Sequence, residues 1–174
     1  MNKQNECYKI YCEAFGNDEL DFTNLLFEKC FNRCVFCEVE NQVASMFFAL
    51  ECEIETNAER IPAIYIYAAA TLDKFRKKGL MTKLLENYKN SLPENTLLFL
   101  RPANTGLVKF YKNCGFKEIC GINDNLNLPL VNPLNSFADI TNDITSGSGE
   151  KFTLMYYSKK NTDFNNLHFI YSME

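Results

Sequence analysis

A basic, glycine-containing segment, Arg76–Thr82, lies between an apolar stretch and a run with helical periodicity. Where a strand turns into a helix in this way, unpaired backbone N–H groups and the positive end of the helix dipole point at one place. Gly79 has no Cβ, so an anion can come close to the backbone there. Arg76, Lys77 and Lys78 add positive charge around it. The segment predicts a phosphate site, with a solvated basic turn as the alternative, because short glycine motifs often match by chance.

A second segment follows one strand later and reads Asn104-(x)6-Tyr111-Lys112-Asn113-Cys114-Gly115-Phe116. Together with Arg-x-x-Gly-x-Met at 76–81, it resembles the two signature segments of the GNAT superfamily of N-acetyltransferases. The family pattern is Arg/Gln-x-x-Gly-x-Gly/Ala, followed by Asn-(x)6-Tyr-x-x-x-Gly-Phe. The order, the spacing and the strand and helix context of both segments match, and the resemblance covers about 30–120 of the chain.

The resemblance implies where acetyl-CoA would bind as a co-substrate. Its pyrophosphate would lie on the backbone amides of the turn, and its pantetheine arm would pair like an added strand with the residues before the turn. A side chain at the start of the next helix would help to hold the arm. The residues that the resemblance and the basic turn assign to cofactor binding are Ala69, Ala70, Thr71, Arg76, Lys77, Lys78, Gly79, Leu80, Met81, Thr82 and Asn104.

Tyr111 matches the family residue that protonates the departing thiolate. A phenol can supply this proton because its pKa of about 10 keeps it protonated at neutral pH; the pKa of a thiol is about 8.5. The resemblance implies direct attack by a small-molecule or peptide amine on the thioester, with a backbone N–H near Ala69–Thr71 at the oxyanion. Two alternatives remain: an acyltransferase with another donor or acceptor, and a non-catalytic sensor that binds acyl-CoA.

The sequence departs from the family at two places. Met81 stands where the motif has a second small residue, and the strand Ile64–Ala70 carries no carboxylate, so the general base is unassigned. A water relay is one candidate base. The others are the carboxylates of Glu51, Glu53, Glu55 and the C-terminal Glu174.

Three further side chains have two interpretations each. His168, the only histidine, is expected to pack among apolar neighbours rather than to act as a base. Tyr65 and Tyr67 lie on one side of the predicted strand, where they either line an acceptor pocket or pack.

The elements that position these residues follow from periodicity, and the predicted fold class is α/β (α+β). A length of 174 residues with 47% hydrophobic content suits one domain, 1–174, with a mixed central sheet, a βαβ cofactor unit and flanking helices. The predicted helices are two within 5–31, the second capped by Asp21, then Gly79–Asn90 and Asn104–Cys114. The predicted strands are Arg33–Glu40 and Val43–Glu55, joined at Asn41-Gln42, then Ile64–Leu72, Thr96–Leu100, Phe116–Cys120, Lys151–Ser158 and an edge strand at Leu167–Tyr171.

The segment 121–149 is rich in Asn, Asp, Pro, Gly and Ser and is expected to be an irregular insertion. As a lid over the acceptor, it would use its apolar residues as anchors and its carboxylates to favour a cationic amine. The competing interpretation is a mobile surface loop.

Composition bears on partners and location. A net charge of −4, with pI near 5.2, argues against nucleic acid as a partner. The longest apolar stretch, Ile61–Leu72, is shorter than the roughly 20 residues that cross a bilayer, so a soluble, cytoplasmic protein without a membrane partner is expected. The eight cysteines are expected to be reduced thiols. Cys34 and Cys37 form a C-x-x-C, but a strand would put them on opposite faces, so no metal site is expected.

Overall fold

The computed structural model describes residues 2–16, 20–55, 59–119, 130–140 and 153–160. Both helices and strands occur in these ranges, and the predicted α/β fold class is confirmed. The helices are α1 (Lys3–Phe15), α2 (Leu20–Cys30), α3 (Leu80–Ser91) and α4 (Thr105–Asn113). The strands are β1 (Cys34–Val39), β2 (Gln42–Glu55), β3 (Arg60–Thr71), β4 (Leu97–Leu100), β5 (Lys117–Ile119), β6 (Leu130–Pro133) and β7 (Leu154–Tyr157).

The strands form one mixed sheet in the order β1-β2-β3-β4-β7-β5, and β6 pairs with β2. β3 and β4 are parallel, and α3 connects them, which confirms the predicted βαβ unit. The pairs β1–β2, β2–β6, β4–β7 and β5–β7 are antiparallel. The parallel pair needs the α3 crossover because parallel neighbours cannot be joined by a tight turn.

The backbone divides into two compact units, 1–50 with 66–92 and 51–65 with 93–174. The organisation of the chain as a single domain stays a prediction. Among the described residues, no helix has both the length and the apolar character needed to cross a membrane.

In the first unit, helices cover both faces of β2, whose residues 43–50 are all buried. Phe48 packs against Phe27 of α2, with ring centroids 5.2 Å apart. The next residue back, Phe47, packs against Tyr88 of α3 at 5.4 Å. Successive strand residues point to opposite faces, so these two contacts place α2 and α3 on opposite sides of the strand. This two-sided burial explains the apolar run that β2 shows in the sequence.

The hairpin between β1 and β2 turns one residue earlier than predicted. Val39 pairs with Gln42, so the loop is Glu40-Asn41 rather than Asn41-Gln42. Glu40 and Asn41 have φ of 52° and 63°, as a type I′ turn requires. Asn tolerates this conformation well, and a two-residue primed turn matches the twist of the strands, which favours this register.

The helix α2 begins at Leu20, so Asp21 lies in its first turn instead of capping it. A carboxylate in the first turn still interacts favourably with the helix dipole. The residues just before α2, 17–19, lie outside the described ranges.

The second unit is built on β4, whose four residues are all buried. Tyr65 of β3 pairs with Phe99 of β4, and their rings lie 5.0 Å apart. Phe116 is buried beside Tyr157 of β7, with centroids 6.0 Å apart. These aromatic contacts join β3 to β4, and Phe116, which directly precedes β5, to β7.

The segment predicted to be irregular, 121–149, contains regular structure where it is described. β6 pairs with β2 from Cys52↔Pro133 to Glu55↔Leu130, and a 3-10 helix, Asn135–Ile140, follows. The Leu134 N–H donates to the Glu51 carbonyl at 2.9 Å, which extends this attachment. A four-residue strand gains its stability from its partner strand, so local composition gave no sign of it. The remainder of the segment, and the predicted strand Leu167–Tyr171, lie outside the described ranges.

Candidate functional site

The turn between β3 and α3 contains two left-handed residues. A 3-10 turn, Asp73–Phe75, leads to Lys77 with φ of 61° and to Gly79 with φ of 73°. A left-handed conformation is costly for Lys77 and nearly free for Gly79. Such alternation of backbone conformation turns successive N–H groups toward a common point, the arrangement that binds anions in many proteins.

The start of α3 is open above Gly79, its N-terminal cap residue. A Cβ built on this glycine would meet no atom within 4 Å, and no side chain caps the helix. The first intrahelical bond runs from Lys83 N–H to the Gly79 carbonyl at 3.0 Å. The N–H groups of Leu80–Thr82 therefore have no intrahelical acceptor and lie at the positive end of the helix dipole. This geometry can hold a phosphate.

Arg76 is oriented toward the strand that precedes the turn. Its Nε donates to the Thr71 carbonyl at 3.1 Å, and its Nη1 lies 2.6 Å from an Asp73 carboxylate oxygen. Arg76 therefore clamps the turn onto the end of β3 in addition to adding charge. Lys74, which sequence reasoning left out of the site, lies beside Lys78, and both ammonium groups contact the Phe75 ring, at 4.8 and 5.1 Å.

The end of β3 has one edge facing β2 and one edge facing away. The Ala70 carbonyl accepts a bond from Ser45 Oγ at 3.2 Å, and the Leu72 N–H donates to the Ala44 carbonyl at 3.0 Å. Backbone groups alternate between the edges, so the N–H groups of Ala69 and Thr71 point away from β2. The ladder between β3 and β4 covers only Ala63–Tyr65, so it does not use these groups.

A left-handed residue precedes this edge. Ala68 has φ of 51° within β3, which is rare for a residue with a Cβ. Such a residue marks a local irregularity of the strand, and irregularities of this kind are common beside functional sites. Sequence reasoning missed it, because the run Ala68–Ala70 has no glycine or other turn signal.

Asn104 is the N-cap of α4. Its side-chain oxygen accepts a bond from Leu107 N–H at 3.1 Å. This bond uses one lone pair of the side-chain oxygen, and the amide NH2 is the donor that the side chain can offer to a ligand. An added Cβ on Gly106 would lie 3.2 Å from that oxygen, so the glycine leaves room for the cap.

Tyr111 is buried in α4, with only 6% of its surface exposed. Its ring lies 5.1 Å from Phe110 and 5.7 Å from Phe116. Burial, with a smaller contribution from the neighbouring Cys114 thiol, raises the pKa of Tyr111 to about 12. The phenol therefore keeps its proton at neutral pH, as a general acid must before its transfer step.

Tyr65 is buried in the same unit and is electrostatically coupled to Tyr111. Burial raises the pKa of Tyr65 to about 12; the positive charge of Arg101 opposes this rise, and Tyr111 adds to it. Arg101 follows directly after β4, two residues beyond Phe99. Its position directly after a buried strand was the sequence signal that could have identified it.

Tyr67 has different neighbours from Tyr65. Its hydroxyl lies 3.4 Å from the hydroxyl of Tyr11, and its ring lies 6.3 Å from Phe22. It is half-buried against α1 and α2, which is compatible with both packing and acceptor contact. Tyr65 packs on Phe99.

The carboxylates considered as bases have structural partners where they are described. Glu51 accepts a hydrogen bond from Asn135, and Glu53 lies 3.8 Å from Arg60. The side chain of Glu55, together with His168 and Glu174, lies outside the described part of the chain. The base stays unassigned.

Cys34 and Cys37 lie on β1, as predicted. A hydrogen bond with the Cys7 thiol, followed by burial, raises the pKa of Cys34 well above its usual range, and burial raises that of Cys37. Metal binding needs thiolates, which this environment disfavours. No group of three metal-ligating side chains occurs among the described residues.

Comparisons with known proteins show the family and the fold of the chain. The family model for the acetyltransferase (GNAT) domain matches residues 2–119. No curated protein matches the chain. Among solved structures, a probable N-acyltransferase from Enterococcus faecalis V583 is 18% identical, with a TM-score of 0.56 over 68% of this chain and 31% of that one. This chain thus spans about a third of that protein's length.

Two other structures match over nearly their whole length. An aminoglycoside 6'-N-acetyltransferase complexed with coenzyme A is 9% identical, with a TM-score of 0.61 over 91% of this chain and 92% of that one. The ribosomal-protein-S18-alanine N-acetyltransferase from Escherichia coli is 16% identical, with a TM-score of 0.54 over 93% and 91%. At these identities the likeness shows the fold, while the family model covers more than half of the sequence. The chain belongs to the acetyltransferase (GNAT) domain family.

Proposed function

We propose that this chain binds acetyl-CoA and transfers its acetyl group to an amine. The observation that carries the proposal is the open, left-handed Gly79 at the start of α3, in a chain of the acetyltransferase family. The diphosphate of the cofactor would accept hydrogen bonds from the N–H groups of Leu80–Thr82. The ammonium groups of Lys74, Lys77 and Lys78 would add positive charge, while the backbone N–H groups would set the position of the diphosphate.

The pantetheine arm would pair with the edge of β3 that faces away from β2. On that edge the N–H groups of Ala69 and Thr71 are the donors, since the Ala70 carbonyl is bound to Ser45. This refines the cofactor contacts expected from sequence, because Ala70 would support the strand rather than pair with the arm. Asn104 would offer its amide NH2, since its oxygen caps α4.

In the proposed reaction, a neutral amine attacks the thioester carbonyl, so a C–N bond forms and the C–S bond breaks. The oxyanion would be met by a backbone N–H of Ala69–Thr71, which needs no reorganisation because the strand holds it. The coenzyme A thiolate takes the proton of Tyr111, and the resulting tyrosinate regains a proton from water. The attacking amine loses its extra proton to water, since no base is assigned.

The acceptor is proposed only as an amine of a small molecule or peptide. The two structural neighbours of full length are named for an aminoglycoside and for the alanine of a ribosomal protein, so their named acceptors span both classes. A net charge of −4 is compatible with a cationic acceptor.

A thiol-release assay tests the proposal. Purified protein is incubated with acetyl-CoA and each of a panel of amines: polyamines, aminoglycosides, amino acids and peptides with free N-termini. Mass spectrometry of each amine then identifies the acetylated product. Amine-dependent thiol release supports acetyl transfer. Tight acetyl-CoA binding without thiol release for any amine contradicts the proposal and favours a sensor. Thiol release with an O-acetylated product contradicts it too and favours a different class of acceptor.

A further inference from the structure

A fully buried hydroxyl lies on β2, next to the end of β3 that is proposed to pair with acetyl-CoA. Ser45 of β2 has no exposed surface, and its flanking residues Ala44 and Met46 have none either. A hydroxyl transferred from water into such surroundings costs free energy unless its hydrogen bonds are replaced. Its partners are therefore part of what stabilises this region.

The partners of Ser45 are consecutive residues of β3. Ser45 Oγ donates to the Ala70 carbonyl at 3.2 Å and lies 2.8 Å from the hydroxyl oxygen of Thr71. A serine hydroxyl can donate and accept at the same time, so Ser45 can bond to the Ala70 carbonyl and to the Thr71 hydroxyl together. The two bonds form a chain from Thr71 through Ser45 to Ala70. Both the backbone and the side chain at the end of β3 are thereby fixed by β2.

Ser45 also reaches the helix whose first turn would hold the diphosphate. Its Oγ lies 4.0 Å from the Met81 sulfur, and Met81 is the second residue of α3. The family motif has a small residue at this position. In this chain the longer thioether contacts the same hydroxyl that holds Thr71.

We propose that Ser45 is a positioning residue of the acyl-CoA site, which sets the Thr71 N–H on the free edge of β3 relative to the first turn of α3. The inference rests on the proposed function, since it concerns the same cofactor. Three hydrogen bonds hold Thr71 in place. Its hydroxyl bonds to Ser45, and its carbonyl accepts from Arg76. The N–H of the next residue, Leu72, donates to the Ala44 carbonyl. Because its position is set before the cofactor arrives, binding need not order it, which favours affinity.

The test compares Ser45→Ala, Thr71→Val and the double variant by calorimetric titration with acetyl-CoA. Each single change removes one hydroxyl of the pair. The Kd is expected to rise about five- to tenfold, which corresponds to the net free energy of one hydrogen bond. The double variant should be no weaker than the weaker single variant, because both changes break the same chain. The KM for the acceptor should not change.

Thr23→Val is the matched control, because Thr23 is another buried hydroxyl residue of the first unit, with 2% exposed. It should lower the Tm without changing the Kd, as a purely structural hydroxyl does. A wild-type Kd in folded Ser45→Ala and Thr71→Val proteins overturns the inference. Thr71 is only half-buried, so its variant decides the matter if Ser45→Ala does not fold. A wild-type protein that neither binds nor turns over acetyl-CoA contradicts the proposed function itself.

Discussion

Gly79 combines a left-handed backbone with open space above its Cα, so a side chain added there meets no neighbouring atom within 4 Å. Gly79→Asp should abolish the rise in Tm that the proposed binding of acetyl-CoA predicts, because its carboxylate would occupy the place of a phosphate. Gly16→Asp is the control: Gly16 has φ of 84° and an equally open surrounding, but it ends α1. Both variants place a side chain at positive φ, and the strain at Gly16 is the larger, because its ψ of −169° lies outside the left-handed helical region that Gly79 occupies. If acetyl-CoA raises the Tm of Gly79→Asp and of the wild type by the same amount, the phosphate site does not lie at Gly79.

Tyr111 offers a second test at the residue scale. Tyr111→Phe keeps the ring that packs on Phe110 and Phe116, so the fold and the Kd for acetyl-CoA should persist. The kcat on a good acceptor should fall about 10²–10⁴-fold, the range for one general acid. Tyr8→Phe, which removes a hydroxyl bound to Asn24, should leave kcat unchanged. If both variants retain full kcat while chemistry limits the rate, another group protonates the thiolate.

The raised pKa of Tyr111 predicts the alkaline side of the pH profile. A general acid works in its protonated form, so activity is lost only as pH rises through its pKa, here about 12. One pH unit below this value, about 90% of the phenol is still protonated. The kcat should therefore show no decline from Tyr111 between neutral pH and about pH 11. A decline centred near pH 10 that is absent in Tyr111→Phe would contradict this assignment.

Among the elements, α1 holds the β1–β2 hairpin through a buried carboxylate. Glu6 accepts a bond from Val43 N–H at 2.7 Å and lies 3.5 Å from Lys3, which also binds the Asn41 carbonyl at the turn. The bond from Val43 is the main cause of a pKa of Glu6 below its ordinary value of 4.5. The carboxylate form is thus the one that the folded hairpin prefers.

This lowered pKa predicts how stability depends on pH. A folded-state pKa below the unfolded value contributes stability that is complete above about pH 4.5 and is lost as pH falls through the folded value. Glu6→Gln should lower the Tm at neutral pH and flatten its dependence on pH in the acid range. Glu28→Gln is the control, because this carboxylate lies at an exposed site on α2, with 68% of its side chain exposed. Identical acid-range slopes in Glu6→Gln and wild type would exclude this contribution.

The start of α4 allows capping to be separated from ligand binding. Asn104→Asp keeps an oxygen that accepts the Leu107 N–H, whereas Asn104→Ala loses the cap, at a cost of about 1 kcal/mol. Both variants lose the amide NH2 proposed to hold the cofactor arm. We expect thermal denaturation to separate the two variants and acetyl-CoA titration to find both weaker than wild type. If Asn104→Asp binds acetyl-CoA with wild-type affinity, Asn104 only caps α4 and does not bind the cofactor.

For the molecule as a whole, the prediction of a single domain implies one cooperative unfolding transition. Far-ultraviolet circular dichroism and tyrosine absorbance should give coincident midpoints, and saturating acetyl-CoA should raise both together. At about 100 times its Kd, the ligand adds about 2.7 kcal/mol, or a Tm rise on the order of 5–10 °C for a chain of this size. Two transitions, only one of which moves with ligand, would indicate two domains.

The parts of the site that could be predicted from sequence are those with a local signal. Gly79 and Tyr111 lie in motifs with fixed spacing, and the apolar periods of α3 and β3 are visible without a structure. Ser45 had no such signal, since it meets Thr71 across 26 positions of sequence. Ala68 and β6 were missed for a related reason: a left-handed alanine and a four-residue strand are stabilised by their surroundings and not by their own composition.

Two of the buried phenols, those of Tyr65 and Tyr111, give the protein an optical signal of its own state. The chain has nine tyrosines and no tryptophan, so tyrosinate absorbance is not masked by indole. Tyr65 and Tyr111 both have a pKa raised to about 12, mainly by burial. At a pH where exposed tyrosines are already ionised, these two stay neutral in the folded protein and ionise on unfolding. An alkaline jump in tyrosinate absorbance would therefore record, without any label, the moment at which water enters the core around Tyr111.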